Sequence, residues 1–256
     1  MVNFIDVSEL AGDEVSAEQV ERLCHRYFWA ANYCAGKDVA EAACGSGAGL
    51  GLLSSTAKSF RAGDISDPIL ERVRAHYGDR IALLHFDAEN LPFDDASLDV
   101  VILFEALYFV PDAARFAAEC QRVLRPGGVV LMAVPNPDLY DFNPAPHSTG
   151  YPNPPGFGAL FTPHGFDVRC FGYLPIDAVS IRQRVLRPIK KLAVSLNLMP
   201  KTMAGKALLK RLVFGNLRTL PAEITSDMIS YAPPSDIPAD RPDRRHKVLY
   251  CAATLF

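Results

Sequence analysis

The sequence lacks several features that would assign it to a class at once. No apolar run is long enough to cross a membrane, and the acidic amino-terminal stretch MVNFIDVSELAGDE has no apolar core of a signal peptide. The six cysteines are scattered without a Cys-x-x-Cys pair, which favours reduced thiols over disulfides or a metal site. The net charge of −3 offers no basic surplus for nucleic acid. These absences predict a cytoplasmic protein with neither a metal nor a nucleic-acid partner.

What is present is a chain of 256 residues, 49% apolar, in which predicted strands alternate with predicted helices. The predicted strands are 37–43, 58–63, 80–86, 98–104 and 129–135. The predicted helices are 17–35, 49–57, 67–78 and 111–128. This alternation predicts an α/β fold, an open parallel sheet with helices on both faces.

A run of small residues, VAEAACGSGAGLG, joins the first strand of this series to the next helix. It places Gly45, Gly47 and Gly49 at every second position after Glu41. Glycines there allow a ligand to approach the backbone, and the following helix offers free N–H groups. Taken alone, the pattern fits a tight turn without a ligand equally well.

Acidic residues follow the next two strands, Asp64 in GDIS and Asp87 in FDAEN. With Glu41 they would converge on the edge of the sheet where ligands of open parallel sheets bind. Asp64 suits the two hydroxyls of a ribose, and Asp87 suits an exocyclic amine. Any one of them alone would be read as a solvated loop carboxylate.

At this point the chain resembles the class I S-adenosylmethionine-dependent methyltransferases, of the methyltransferase type 11-like kind. The resemblance covers about residues 20–135 through VAEAACGSGAG, GDIS, FDAENLPFDDASLDVVILFEALYFVPD and AECQRVLRPGGVVLMAVPN, in that order. It implies an enzyme that uses S-adenosyl-L-methionine. It also implies a Rossmann-like, doubly wound, mostly parallel sheet of seven strands with an antiparallel last strand.

The resemblance implies roles for individual residues. The turn from Gly45 to Gly49, with Gly47 at its centre, would pass beside the methionine part of the cofactor, with Glu41 beneath it. The adenosine part would contact four residues: Asp64 at the ribose, Ile65 on the adenine, Asp87 at the adenine amine and Ala88 at a ring nitrogen. Phe104 and Glu105 would lie beside the sulfonium and the substrate.

Two further segments carry candidate residues with two interpretations each. CHRYFWAA (24–31) resembles a segment of methyltransferases associated with bacterial glycan synthesis, in which Tyr27 or Arg26 would reach the cofactor carboxylate. The same residues fit an amphipathic helix with Tyr27 on its core face. The loop 136–156 holds His147, our candidate catalytic base; the alternative interpretation, a surface histidine without a role, is the commoner case for a loop histidine. Asp138, Tyr140 and Tyr151 are weaker candidates in that loop.

Strands are predicted at 165–176 and 246–255, which in the resembling family form the antiparallel pair that closes the sheet. Residues 1–176 and 246–256 would then form the methyltransferase domain, and 177–245 a helical and loop insertion. The basic segment 181–211 within it suits a lid or a peripheral contact with the inner face of a membrane.

The function we expect is methyl transfer to a hydroxyl or amine of a sugar, nucleotide sugar or glycan precursor. The alternatives are a small-molecule or lipid-quinone methyltransferase and a non-catalytic regulator or scaffold that binds S-adenosylmethionine. The sequence leaves the acceptor and the oligomeric state open.

Overall fold

The computed structural model describes residues 10–176 and 217–256. The strands are β1 (Glu14–Ser16), β2 (Asp38–Ala42), β3 (Ser59–Asp64), β4 (Ala82–His85), β5 (Leu98–Phe104), β6 (Leu124–Pro135), β7 (Phe166–Pro175), β8 (Leu217–Thr219), β9 (Ser235–Ile237) and β10 (His246–Leu255). The α-helices are α1 (Ala17–Cys34), α2 (Leu50–Thr56), α3 (Asp67–Tyr77), α4 (Ala113–Val123) and α5 (Pro154–Phe161).

The main sheet has the strand order β4-β3-β2-β5-β6-β10-β7-β9. The five strands from β4 to β6 are parallel, and β10 lies antiparallel between β6 and β7. The chain moves outward from β2 to β4 and then returns to add β5 on the other side of β2. The strand order therefore reverses between β2 and β5, which is where open α/β sheets bind their ligands.

The helices form because their apolar residues recur on one face, and that face packs on the sheet. Helix α4 buries Phe116, Ala117, Cys120 and Val123 in the core on one side of the sheet. Helix α1 packs on the opposite side and begins at a capping box, in which the Ser16 hydroxyl accepts from the backbone of the third helical residue. Helices on both faces confirm the α/β arrangement expected from the sequence.

The closing pair of strands is confirmed, since β7 and β10 pair along their length. The number of strands differs from the expectation of seven. Ser235–Ile237 adds an eighth strand to the main sheet beside β7, although the proline-rich composition around it predicts a return loop. Pairing along the free edge of β7 outweighs the local sequence there.

The segment expected to be an insertion is thus partly built into the fold. Besides β9, it supplies β8, which pairs with β1 in a separate two-stranded sheet. The basic segment 181–211 lies outside the described residues. Within residues 10–176 and 217–256, no helix combines the length and apolarity required to span a membrane.

Candidate active site

A cavity of about 410 Å³ opens at the carboxyl edge of the sheet, beside the switch between β2 and β5. This volume lies within the range of small-molecule sites. Its walls come from α1, from the turn after β2, and from the ends of β3, β4 and β5. The predicted site residues that line it are Tyr27, Gly45, Asp64, Ile65, Asp87, Ala88, Phe104 and Glu105. Glu41 and Gly47 lie behind this lining rather than in it.

The three glycines of the turn after β2 are required for different physical reasons. Gly45 and Gly47 have φ of 53° and 73°, in the left-handed region that favours glycine. At Gly49 the φ is ordinary, but a Cβ atom would lie 2.1 Å from the ring of Tyr27. The absent side chain lets α1 pack directly on the turn. The glycine pattern therefore shapes the backbone and brings Tyr27 to the cavity.

Glu41 is buried in β2, and the hydroxyl of Tyr27 donates a hydrogen bond to its Oε1 atom at 2.6 Å. The second oxygen, Oε2, is buried without a hydrogen-bond partner among the described residues. Burial raises the pKa of Glu41 to about 8, against smaller opposing effects of Tyr27 and Arg26. An orphaned carboxylate oxygen of this kind fits a cationic or N–H donor group of a ligand.

Tyr27 is both a core residue and a cavity residue, the two positions that the sequence left open. It is 3% exposed and belongs to the core between α1 and the sheet, and it also lines the cavity. Its hydroxyl is engaged with Glu41, so Tyr27 positions that carboxyl. Arg26, one residue earlier, also lines the cavity and is the better placed of the two for an anionic ligand group.

Asp64 is the last residue of β3 and connects two parts of the site. Its Oδ2 accepts from the Gly45 amide at 3.1 Å, and its Oδ1 accepts from the Ser66 amide at 2.9 Å. Burial raises the pKa of Asp64, while these backbone amides oppose the shift. Each oxygen keeps a further lone pair for a ligand hydroxyl. Ile65, the next residue, also lines the cavity and is 45% exposed. An apolar side chain exposed there could pack on an apolar face of a ligand.

The opposite wall is built by the residues that follow β4. Asp87 and Ala88 come just after the strand and line the cavity with Phe86. The Oδ1 atom of Asp87 accepts from the Glu89 amide at 2.9 Å, which fixes the carboxylate in a tight turn. The strand ends thus bring Asp64 and Asp87 to one cavity, as their sequence positions predict.

Glu105 follows β5 and meets partners that the sequence did not indicate. Its Oε1 lies 3.2 Å from Nη2 of Arg22 and 3.8 Å from Nη1 of Arg26, and its Oε2 accepts from the Tyr108 hydroxyl at 3.2 Å. All of these residues line the cavity. Arg22 precedes Arg26 by one helical turn, which puts both on one face of α1. This spacing is the sequence pattern that could have predicted their shared position at the cavity.

The structure does not bring His147 to the cavity. It is exposed in the loop after β6 and does not line the site, so the geometry gives no support to its expected role as a base. The loop contacts a lining residue instead, because the ring of Tyr151 stacks on that of Tyr108 with 4.1 Å between centroids. Tyr140 is exposed, and the Oδ1 atom of Asp138 accepts from the side chain of Asn153.

This sheet order, with the cavity at the switch between β2 and β5, defines a Rossmann-like α/β domain. A family model described as "Methyltransferase domain" matches residues 40–132. S-adenosyl-L-methionine is the cofactor of methyltransferase domains of this fold. The Glu41 oxygen that has no partner among the described residues and the two strand-end carboxylates fit it.

Curated relatives match less than half of the chain. A probable S-adenosylmethionine-dependent methyltransferase of Mycolicibacterium smegmatis is 42% identical over 116 residues, 45% of this chain and 42% of the relative. A phthiotriol/phenolphthiotriol dimycocerosates methyltransferase of Mycobacterium tuberculosis is 43% identical over 98 residues, 36% of each chain. The chain thus spans about two fifths of the length of the curated relatives it matches.

Solved structures agree in fold over nearly the whole chain. A methyltransferase of Thermotoga maritima, described as a possible histamine N-methyltransferase, has a TM-score of 0.58 at 14% identity, covering 93% of this chain and 92% of its own. A methyltransferase of Archaeoglobus fulgidus has a TM-score of 0.55 at 17% identity, covering 93% of each chain. At these identities the likeness shows the fold alone.

Proposed function

We propose that this chain transfers a methyl group from S-adenosyl-L-methionine to a small acceptor. The observation that carries the proposal is the buried Glu41 oxygen, which has no hydrogen-bond partner among the described residues and lies next to a cavity lined by Asp64 and Asp87. When bound, S-adenosyl-L-methionine supplies an electrophilic methyl group. Asp64 would hold the ribose hydroxyls, Ile65 and Ala88 would enclose the adenine with Asp87 at its amine, and Glu41 would face the methionine end.

The task left to the protein is alignment of the acceptor and exclusion of water. Leu23, Phe104, Phe109 and Val110 contribute apolar surface to the cavity lining, which also includes Glu105. We assign these residues to the acceptor, because the adenosine and methionine parts of the cofactor are assigned to other residues of the site.

For the acceptor, our first candidate is a hydroxyl or amine of a sugar, nucleotide sugar or glycan precursor. Arg22 and Arg26 favour it, because guanidinium groups bind the phosphates of such precursors. The second candidate is a lipid alcohol. It is favoured by the apolar wall at Phe109 and Val110 and by the relatives named phthiotriol/phenolphthiotriol dimycocerosates methyltransferases. Cytoplasmic location, with peripheral membrane contact through 181–211, belongs to the same proposal.

Two measurements test the function. Calorimetry with S-adenosylmethionine and S-adenosylhomocysteine tests the cofactor site, and transfer of a tritiated methyl group to fractions of a cell extract tests catalysis. Separate aqueous and lipid fractions distinguish the two acceptor candidates, and mass spectrometry identifies the product. Tight binding of S-adenosylhomocysteine without transfer to any fraction would favour the non-catalytic regulator or scaffold. Binding of neither compound would refute the proposal.

A further inference from the structure

The carboxylate of Glu105 lines the cavity, and its partners among the described residues are side chains. We infer that Glu105 takes up the proton that the acceptor loses on methylation, so that the acceptor is a hydroxyl or an amine rather than a carboxylate. The inference rests on the proposed function, since it concerns the acceptor side of the same site.

The other carboxyl groups of the site have competing tasks. Both oxygens of Asp64 are held by backbone amides, and one oxygen of Asp87 is held by the amide of Glu89. Glu41 lies behind the lining rather than in it. Among the described carboxylates that line the cavity, Glu105 is thus the one held by side chains alone, and it is 19% exposed.

The groups around Glu105 fix where its oxygens point. Arg22 and Arg26 on α1 hold Oε1, while the Tyr108 hydroxyl holds Oε2 from the segment after β5. Burial and the nearby carboxylate raise the pKa of Tyr108 above its usual range, so the phenol stays protonated and acts as a donor. The three contacts come from two different elements, so they fix the position of the Glu105 carboxylate at the cavity.

The backbone of Glu105 also points to a functional constraint. Its φ is 53°, in the left-handed region that residues other than glycine seldom adopt. Its amide donates to the carbonyl of Ala133 on β6 at 2.8 Å, which holds this conformation at the end of the strand. Strained backbone of this kind clusters where a side chain has to be aimed.

The step balances without a further reactant. The lone pair of the acceptor oxygen or nitrogen forms the new bond to the methyl carbon, and the carbon–sulfur bond breaks with its electron pair left on sulfur. The O–H or N–H bond of the acceptor gives its electrons to the acceptor atom, and its proton passes to the Glu105 carboxylate. That carboxyl group then releases the proton to water. A carboxylate acceptor has no proton to give and would be repelled by Glu105.

The test replaces the carboxylate while leaving its shape, in Glu105→Gln. Binding is measured with S-adenosylhomocysteine and with sinefungin, which carries an amine in place of the transferable methyl group. If Glu105 faces that position, its charge favours sinefungin, and Glu105→Gln lowers this preference about tenfold. Binding of S-adenosylhomocysteine stays within about threefold. Glu71→Gln, an exposed glutamate of α3, makes the same charge change away from the cavity and keeps the preference.

Activity and stability add two readouts. Tritium transfer to the extract falls about 100-fold or more in Glu105→Gln, the range of a lost general base. Glu105→Gly removes the carboxylate but fits the positive φ, so the same loss of transfer is expected in a variant that remains folded. If wild type binds neither compound, the proposed function is refuted and the inference with it. If wild type binds and transfers, and Glu105→Gln has the same ligand preference and rate, the inference alone is refuted.

Discussion

Asp64→Ala tests the most connected residue of the cofactor site. In the structure each carboxylate oxygen accepts one backbone amide, from Gly45 and Ser66, and the side chain is only 5% exposed. The proposed ribose contacts would use the remaining lone pairs, one hydroxyl on each oxygen. The substitution removes both contacts and also releases the Gly45 amide at the glycine turn.

The expected loss follows from those contacts. Two charge-assisted hydrogen bonds that a bound ligand gains amount to about 2–3 kcal/mol after exchange with water. The Kd for S-adenosylmethionine should therefore rise about 30- to 150-fold. Loss of an acceptor for the two backbone amides should in addition lower the free energy of unfolding by about 1–2 kcal/mol.

Calorimetry at one pH and salt concentration measures the affinity, and thermal unfolding measures the stability of the same preparations. Asp67→Ala is the matched control, because its side chain is 68% exposed at the start of α3 and does not line the cavity. Asp64→Asn retains the shape and one acceptor oxygen, so an intermediate Kd is expected. A folded Asp64→Ala variant with the wild-type Kd would refute the ribose assignment.

Three further predictions concern packing, pH and the loop. Gly49→Ala should destabilise the fold by about 1–3 kcal/mol in chemical denaturation, because its Cβ would lie 2.1 Å from Tyr27; Gly158→Ala, with no atom within 4 Å of its Cβ, should not. Burial lowers the pKa of His25, so the unfolded chain binds more protons below about pH 6.5 and stability falls on acidification. The Tm difference between pH 7.5 and 5.5 should thus shrink in His25→Gln, and an equal difference would contradict this. His147→Ala should leave transfer rate and cofactor affinity unchanged because the residue lies outside the cavity, and a slower variant would restore it as a candidate base.

Much of the cofactor side was decided by the sequence itself. The apolar run of β5, the glycine turn, the acidic residue at the end of β3 and the one after β4 are local patterns, and each is visible in a few adjacent residues of the sequence. Once the strands are parallel, their carboxyl ends meet at one edge, so Asp64 and Asp87 reach the same cavity. That convergence needs only the strand order and no side-chain detail.

The surroundings of Glu105, which we propose as the acceptor side, were decided by tertiary packing. Arg22 meets Glu105 because α1 is fixed across the sheet, where His25 contacts the Tyr250 hydroxyl at 2.9 Å and Glu21 accepts from Tyr173. These pairs are more than 80 residues apart in the chain, so no local spacing encodes them.

The position of the loop after β6 depends in the same way on distant contacts. The stacking of Tyr151 on Tyr108 docks the loop, while His147 stays exposed and apart from the cavity. Loop residues lack the periodicity that fixes a helix or strand face, and their direction follows from what they pack against. The sequence thus determined the α/β fold and the set of residues at the carboxyl edge of the sheet, and the packing of α1 and of this loop decided which side chains surround Glu105 and Tyr108.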